Sequence, residues 1–249
     1  MSNEWKRLHS LLETKESDLG EPMSVEENSS NELNDLICKD IKENEEFLRK
    51  NAKDVYEEVI GLVNDVITML SIILEKFKTG EEAAKHPMAF FVLHIFMPMS
   101  YGIYVNLLLG NLPACFMQLR LIHEAMAKCY FVEKIDSSQE HFSIKLEALE
   151  QVLKEERIST TKLMKELGYD FVKLWGKLSE SWVHPRGILK RVTDRIVERG
   201  MPPSWGFGLP ATYTNDDLDD LKELKKRVAE FRALLKNVIC ELQFSTQNP

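Results

Sequence analysis

HPMAFFVLHIFMPMSYGIYVNLLLGNLPACFMQLRLIHEAMAKCYFV, residues 86–132, is the stretch on which the fold turns. Residues 86–119 contain no Asp, Glu, Lys or Arg, a run of 34 uncharged positions. A bilayer takes about 20 apolar residues to cross. The run is therefore either a membrane span or the central helix hairpin of a bundle. His86, His94, Pro98, Asn106, Asn111 and Gln118 punctuate it, no second comparable run exists, and no basic cluster flanks it to set an orientation. The expectation is a buried hairpin and no membrane span. Pro98 predicts a kink in its first helix. Gly110 ends that helix, and Asn111 caps a second with Pro113 in its first turn, running to about Ile135.

Apolar residues recur at intervals of three and four on the N-terminal side as well: Leu33, Ile37, Ile41, Leu48, Val55, Val59, Leu62, Val66, Leu70, Ile73 and Phe77. This spacing is helical. It predicts one long helix or two stacked ones, breaking between Asn44 and Asp54 and ending at Thr79-Gly80, with Gly80 as a left-handed cap. Ser29-Ser30-Asn31-Glu32 reads as a capping box. On the C-terminal side, Ser137 and Glu140 predict a second capping box opening a charged helix to about Glu156. Helices follow at about 160–167, 170–183 and 188–199, and a last one runs from about Asp216 to Phe244. The loop 201–215 is rich in Pro, Gly and aromatics. The fold class is all-α, a multi-helix bundle built around the central hydrophobic helix hairpin. Residues 31–249 form the single helical-bundle domain, and residues 1–30 an acidic, partly flexible arm.

Charge is unevenly placed along the 249 residues. Residues 1–60 hold 8 Lys/Arg against 16 Asp/Glu, which accounts for the whole net charge of −8. A neutral body excludes a general nucleic-acid coating protein but leaves room for a local basic patch. The acidic arm offers a surface for a protein partner. Cys38, Cys115, Cys129 and Cys240 are scattered without a CxxC pair, which suits reduced, buried thiols. With an N-terminus lacking the apolar core of a signal peptide, this predicts a cytoplasmic protein.

The second hairpin helix carries Arg120, Glu124 and Lys128 at intervals of four, on one face. Two readings are open. The ladder is the narrow solvated face of an amphipathic helix, or Arg120 and Glu124 are inside as a buried pair. Removing one partner of a buried pair costs about 3–5 kcal/mol, so such pairs are often kept to bind an anion or orient a neighbour. Arginine suits phosphate because its planar fork binds two oxygens.

LLLGNLPACFMQLRLIHEA (107–125), followed some 50 residues later by WGKLSESWVHP (175–185), resembles a group of uncharacterised prokaryotic helical domains. Their pattern is a Gly-terminated helix, then L-R-x-x-x-E-A, then L-S-x-x-x-H-P. Gly110, Leu119, Arg120, Glu124, Ala125, Leu178, Ser179, His184 and Pro185 agree with it in order and spacing. More distantly the chain is similar to the HEPN superfamily of helical bundles, many of them dimeric ribonucleases of toxin and antiviral systems. The resemblance implies a homodimer and a polar site of Arg120, Glu124 and His184, with Ser179 in support. The superfamily's motif places an Arg four to six residues before its His; here no Arg occupies the seven residues before His184.

His184 precedes Pro185, which pushes it out of helical geometry. As a plain helix stop it needs no further role. As a site residue it is freed to meet Arg120 and Glu124, to move the 2′-hydroxyl proton in RNA cleavage while arginine steadies the phosphorane charge. Ser179 and Ser181 lack the strained elbow and the orienting acid of a nucleophilic serine. His123-Glu124 lacks the second His of a zinc helix, and no Gly-rich phosphate loop exists, so no metal and no cofactor are expected. RGILKRVTDRIVERG (186–200) carries five Arg/Lys against two acids, with Arg191, Arg195 and Arg199 forming one stripe. That stripe, with Arg186, is either a solvated face or a seat for a nucleic-acid backbone. Trp205 and Phe207 then offer stacking surfaces. The expectation is a HEPN-like factor that targets RNA, in host defence or as a toxin. Any catalysis would be that of a metal-independent endoribonuclease. The alternative is a non-catalytic helical dimerisation or scaffold protein.

Overall fold

A computed structural model describes residues 28–136, 138–182 and 212–244. All regular elements among these residues are helices: α1 (Asn28–Asn51), α2 (Lys53–Lys76), α3 (Pro87–Leu108), α4 (Leu112–Ile135), α5 (Phe142–Glu155), α6 (Thr160–Leu167), α7 (Tyr169–Trp182) and α8 (Leu218–Phe244), with short turns at Gly80–Ala83 and Asn215–Asp217. The protein is an all-α multi-helix bundle. The chain divides after Leu36, and the packing described below is that of the part from Ile37 onward. The expected arm up to residue 27, the helix at 188–199 and most of the 201–215 loop lie outside the described residues.

The α1–α2 break falls at Ala52, whose φ of −143° and ψ of 42° leave helical geometry, inside the apolar-poor interval. Three other boundaries differ from expectation. Helix α2 stops at Lys76, and Thr79 begins a new turn by accepting from the Glu82 N–H, so Gly80 is a first-turn residue and not a left-handed cap. Ser29 lies inside α1 rather than before it. Helix α5 is capped by His141, whose Nδ1 accepts from the Ser143 N–H, and not by a Ser137–Glu140 box; Ser137 itself is outside the described residues. An imidazole lone pair serves there because the backbone turns helical only from Phe142.

Helix α3 contains the feature that periodicity did not reveal. Phe91–Phe96 form a π-helical segment immediately before Met97-Pro98. Proline cannot donate to the ladder and its ring crowds the preceding turn. A wider i→i+5 register is one way to accommodate it. Length and composition would let Pro87–Leu108 cross a membrane. In the bundle, Phe91, Val92, Phe96, Ser100, Ile103 and Leu107 are buried along one side of it, while His94, Met97 and Tyr101 are exposed.

Leu109–Asn111 reverse the chain into α4. Gly110 takes φ 70°, which a side chain resists, and the Asn111 N–H closes back onto the Asn106 carbonyl at 2.8 Å. Asn111 then accepts from the Ala114 N–H, with Pro113 beside it. Helix α4 packs against α3, α5, α6, α7 and α8. Cys115, Phe116, Leu119, Ile122, His123, Met126 and Ala127 are all buried on it. Cys115 and Cys129 are buried as expected, but Cys38 and Cys240 are exposed. Cys240 lies toward the end of α8, and Cys38 in the first half of α1 among mostly exposed neighbours.

Helix α8 closes the bundle on α2. Arg232 donates from Nε to Asp65 and from Nη1 to Glu58, each at 2.6 Å, and from Nη2 to Asp65 at 3.2 Å. Gly61 makes room for it: a Cβ there would stand 2.4 Å from Arg232 Nη1. The buried Asn44 fastens α1 to the rest, donating to the Leu108 carbonyl at 2.9 Å and accepting from the Tyr213 N–H at 2.8 Å. The Tyr213 hydroxyl donates to the Leu107 carbonyl at 2.8 Å.

Candidate functional site

Arg120 does not pair with Glu124. Glu124 instead accepts from Lys128 at 3.2 Å, and Lys128 also donates to Glu150 on α5 at 2.7 Å. Burial disfavours the Lys128 charge, but Glu150 and Glu124 together outweigh it and hold the ammonium above its ordinary pKa. Half of the ladder is thus a half-buried α4–α5 clasp. Arg120 turns the other way, and its guanidinium carbon sits 4.2 Å from the centre of the Trp175 ring on α7. The two helices face each other along this seam.

Two polar atoms at this seam are buried without a hydrogen-bond partner: Arg120 Nε and Ser179 Oγ. Trp175 and Ser179 are one turn apart and share a face of α7. Leaving a buried donor unsatisfied costs about 1–3 kcal/mol, and more when the group is charged. Stacking on indole returns ~0.5–2 kcal/mol and orients the guanidinium plane, but it does not satisfy the Nε–H. The arrangement sets a guanidinium over the Trp175 ring with one donor unused, and leaves a hydroxyl one turn further along α7 likewise unused.

A third orphan lies nearby on α4. His123 is fully buried; its Nε2 lies 3.1 Å from the Phe171 carbonyl and its Nδ1 has no partner. A carbonyl only accepts, so the proton is on Nε2 and the Nδ1 lone pair faces the core. Burial lowers its pKa to about 3. It is a neutral packing group between Phe171 and Phe231, at centroid distances of 5.6 and 6.4 Å.

Among the expected site residues, the bundle brings Arg120 and Ser179 to one seam and directs Glu124 away to Lys128. His184, Arg186, Arg191, Arg195 and Trp205 lie outside the described residues, as do Arg199 and Phe207. Trp175 was missed by sequence reasoning, although its place four residues before Ser179 puts it on the same face. Among the described residues, no group of three or more His, Cys, Asp or Glu is arranged to hold a metal ion. No family profile, no curated protein and no solved structure matches this chain.

Proposed function

We propose that the Arg120–Trp175–Ser179 seam binds a phosphodiester of single-stranded RNA, in a HEPN-like, RNA-targeting cytoplasmic protein. The observation that supports this is the pair of buried, unpartnered donors, Arg120 Nε and Ser179 Oγ, on facing helices. A phosphate, with several acceptor oxygens, is the kind of group that such donors take. The indole beneath the guanidinium keeps the donor edge turned to the ligand. By sequence, His184 follows Ser179 by five positions, so a bound phosphodiester would have a proton-transfer group close along the chain. In the catalytic form of the proposal, His184 takes the 2′-hydroxyl proton, the 2′ oxygen attacks phosphorus to give a 2′,3′-cyclic phosphate, and the 5′ oxygen leaves with a proton from water. Arg120 balances the charge that builds on the phosphoryl oxygens. Arg186, Arg191, Arg195 and Trp205 would extend the backbone contact beyond the seam.

The dimeric scaffold reading has its own support. Met97 and Tyr101 on α3 and Met117 and Leu121 on α4 are exposed on two neighbouring helices. A second copy of the chain would cover them, and this dimer is compatible with either reading.

Titration of a labelled single-stranded RNA into the full chain separates the two. Arg120→Gln is expected to weaken binding equally across sequences and to shallow the salt dependence by ~1 unit of slope or less. His184→Ala is expected to keep binding and to abolish any cleavage. Wild-type protein that binds no RNA at any salt or divalent-ion concentration, while remaining dimeric by light scattering, rejects the RNA reading in favour of the scaffold.

A further inference from the structure

A separate cavity opens at the junction of α2, the start of α3, the end of α4 and the end of α8. Its walls are Met69, Ile72, Ile73, Val92, Ile239 and Leu242. Val92 belongs to the π-helical segment. Such segments are rare and recur at functional sites. One end of this apolar slot is polar. His86, Glu133 and Lys76 stand there with Phe77.

The polar end is organised. His86 Nδ1 lies 2.5 Å from one Glu133 oxygen, and the other oxygen accepts from the Met88 N–H at 3.2 Å. Glu133 is therefore fully engaged and fixes the imidazole, which also stacks on Phe77 at 4.4 Å between ring centroids. With Nδ1 tied to the carboxylate, Nε2 is the nitrogen left for a ligand. Lys76 pairs with no carboxylate among the described residues; its ammonium lies 5.5 Å from the Phe77 ring centre. An anion at the mouth would meet the Lys76 ammonium, while both oxygens of Glu133 are already taken by His86 and the Met88 N–H.

We propose that this cavity binds a single-chain amphiphile with a carboxylate head, such as a medium-chain fatty acid. The acyl chain lies along Met69, Ile73, Val92 and Ile239, and the carboxylate accepts from Lys76 Nζ beside the His86 ring. An ammonium with no carboxylate partner among the described residues, beside an acid already engaged, selects an anionic head over a neutral or cationic one. The apolar walls select a chain over a free anion. This site is independent of Arg120 and Ser179 and stands whether or not RNA binds.

The test is calorimetric titration of the full chain with octanoate, decanoate and decanol, each below its micelle concentration. Saturable one-to-one binding is expected, tightening about tenfold from octanoate to decanoate as two more methylenes are buried. The exposed substitution Lys76→Gln is expected to weaken decanoate at least fivefold and leave decanol unchanged. Val92→Phe, filling the slot, is expected to abolish both; Ile72→Trp, from a half-buried position on the wall, gives the same test if Val92→Phe does not fold. Absence of saturable decanoate binding overturns the proposal. So does binding that survives Ile72→Trp in folded protein, or a Lys76→Gln effect equal for decanol and decanoate.

Discussion

Acidification from pH 7 to pH 4.5 is expected to cost the bundle on the order of 3 kcal/mol through His123 alone. The imidazole is fully buried, its pKa is lowered to about 3 by loss of solvent, and its Nδ1 faces no donor or acceptor. In the unfolded chain the same group titrates near 6.5. As pH falls below 6.5 the unfolded state takes up the proton first, so stability present above that value is lost at ~1.4 kcal/mol per unit until about pH 3. Urea denaturation of wild type and His123→Gln at pH 7, 5.5 and 4.5 reads this directly. Glutamine keeps a donor for the Phe171 carbonyl and cannot be charged. The wild-type stability should fall more steeply with acid than that of the variant, and parallel curves would refute a buried neutral histidine.

Arg232→Met is the second large effect. It removes the cation shared by Glu58 and Asp65, which are only 21% and 18% exposed. Both carboxylates, led by Asp65, hold the Arg232 proton more tightly than usual. Breaking a buried ion pair leaves an uncompensated charge and costs about 3–5 kcal/mol; partial solvent access brings the expectation to ~2–3 kcal/mol. Replacing all three groups differs from breaking the set. The triple variant Arg232→Met, Glu58→Gln, Asp65→Asn should recover most of the loss, since neutral groups have no charge to desolvate. Chemical denaturation of the two variants measures both numbers. A triple variant as unstable as Arg232→Met would place the loss in packing at Gly61 and not in charge.

Much of this architecture was legible because it follows from backbone chemistry. Asn111, Pro113 and Gly110 announce a helix stop and restart by what each can and cannot do at a helix end. The apolar-poor stretch around Ala52 announces a break because nothing there rewards continuing. The first His-Pro pair of the chain shows the same logic at work: His86 sits at φ −111° and ψ 108°, outside helical geometry, directly before Pro87. Other features depend on tertiary choices that spacing does not encode. Arg120 and Glu124 share a helix face, yet side-chain rotamers and the neighbours offered by α5 and α7 decided that one turns to Trp175 and the other to Lys128. The π segment at Phe91–Phe96 leaves no mark on apolar periodicity, because nearly every residue there is apolar. Ser137-Glu140 has the spacing of a capping box, but spacing does not show where the backbone turns helical.

The fatty-acid cavity was illegible for a related reason. Lys76, His86 and Glu133 come from three separate segments and form no motif, and only the packing of α2, α3 and α4 unites them. The Arg120 site was half legible. Arginine and Ser179 drew notice through a pattern of residues, whereas the two orphaned donors that support a ligand site are a property of the fold.

One pair of numbers tests that site most directly: the unfolding free energy and the RNA affinity of Arg120→Met. Methionine fills a similar volume, can still contact the Trp175 ring through sulfur, and buries no unsatisfied donor. The expected result is stability unchanged or raised by about 1 kcal/mol, with RNA binding weakened. A variant that loses 2 kcal/mol or more while RNA binding is unaltered would contradict it, and would make Arg120 a packing residue of the α4–α7 seam.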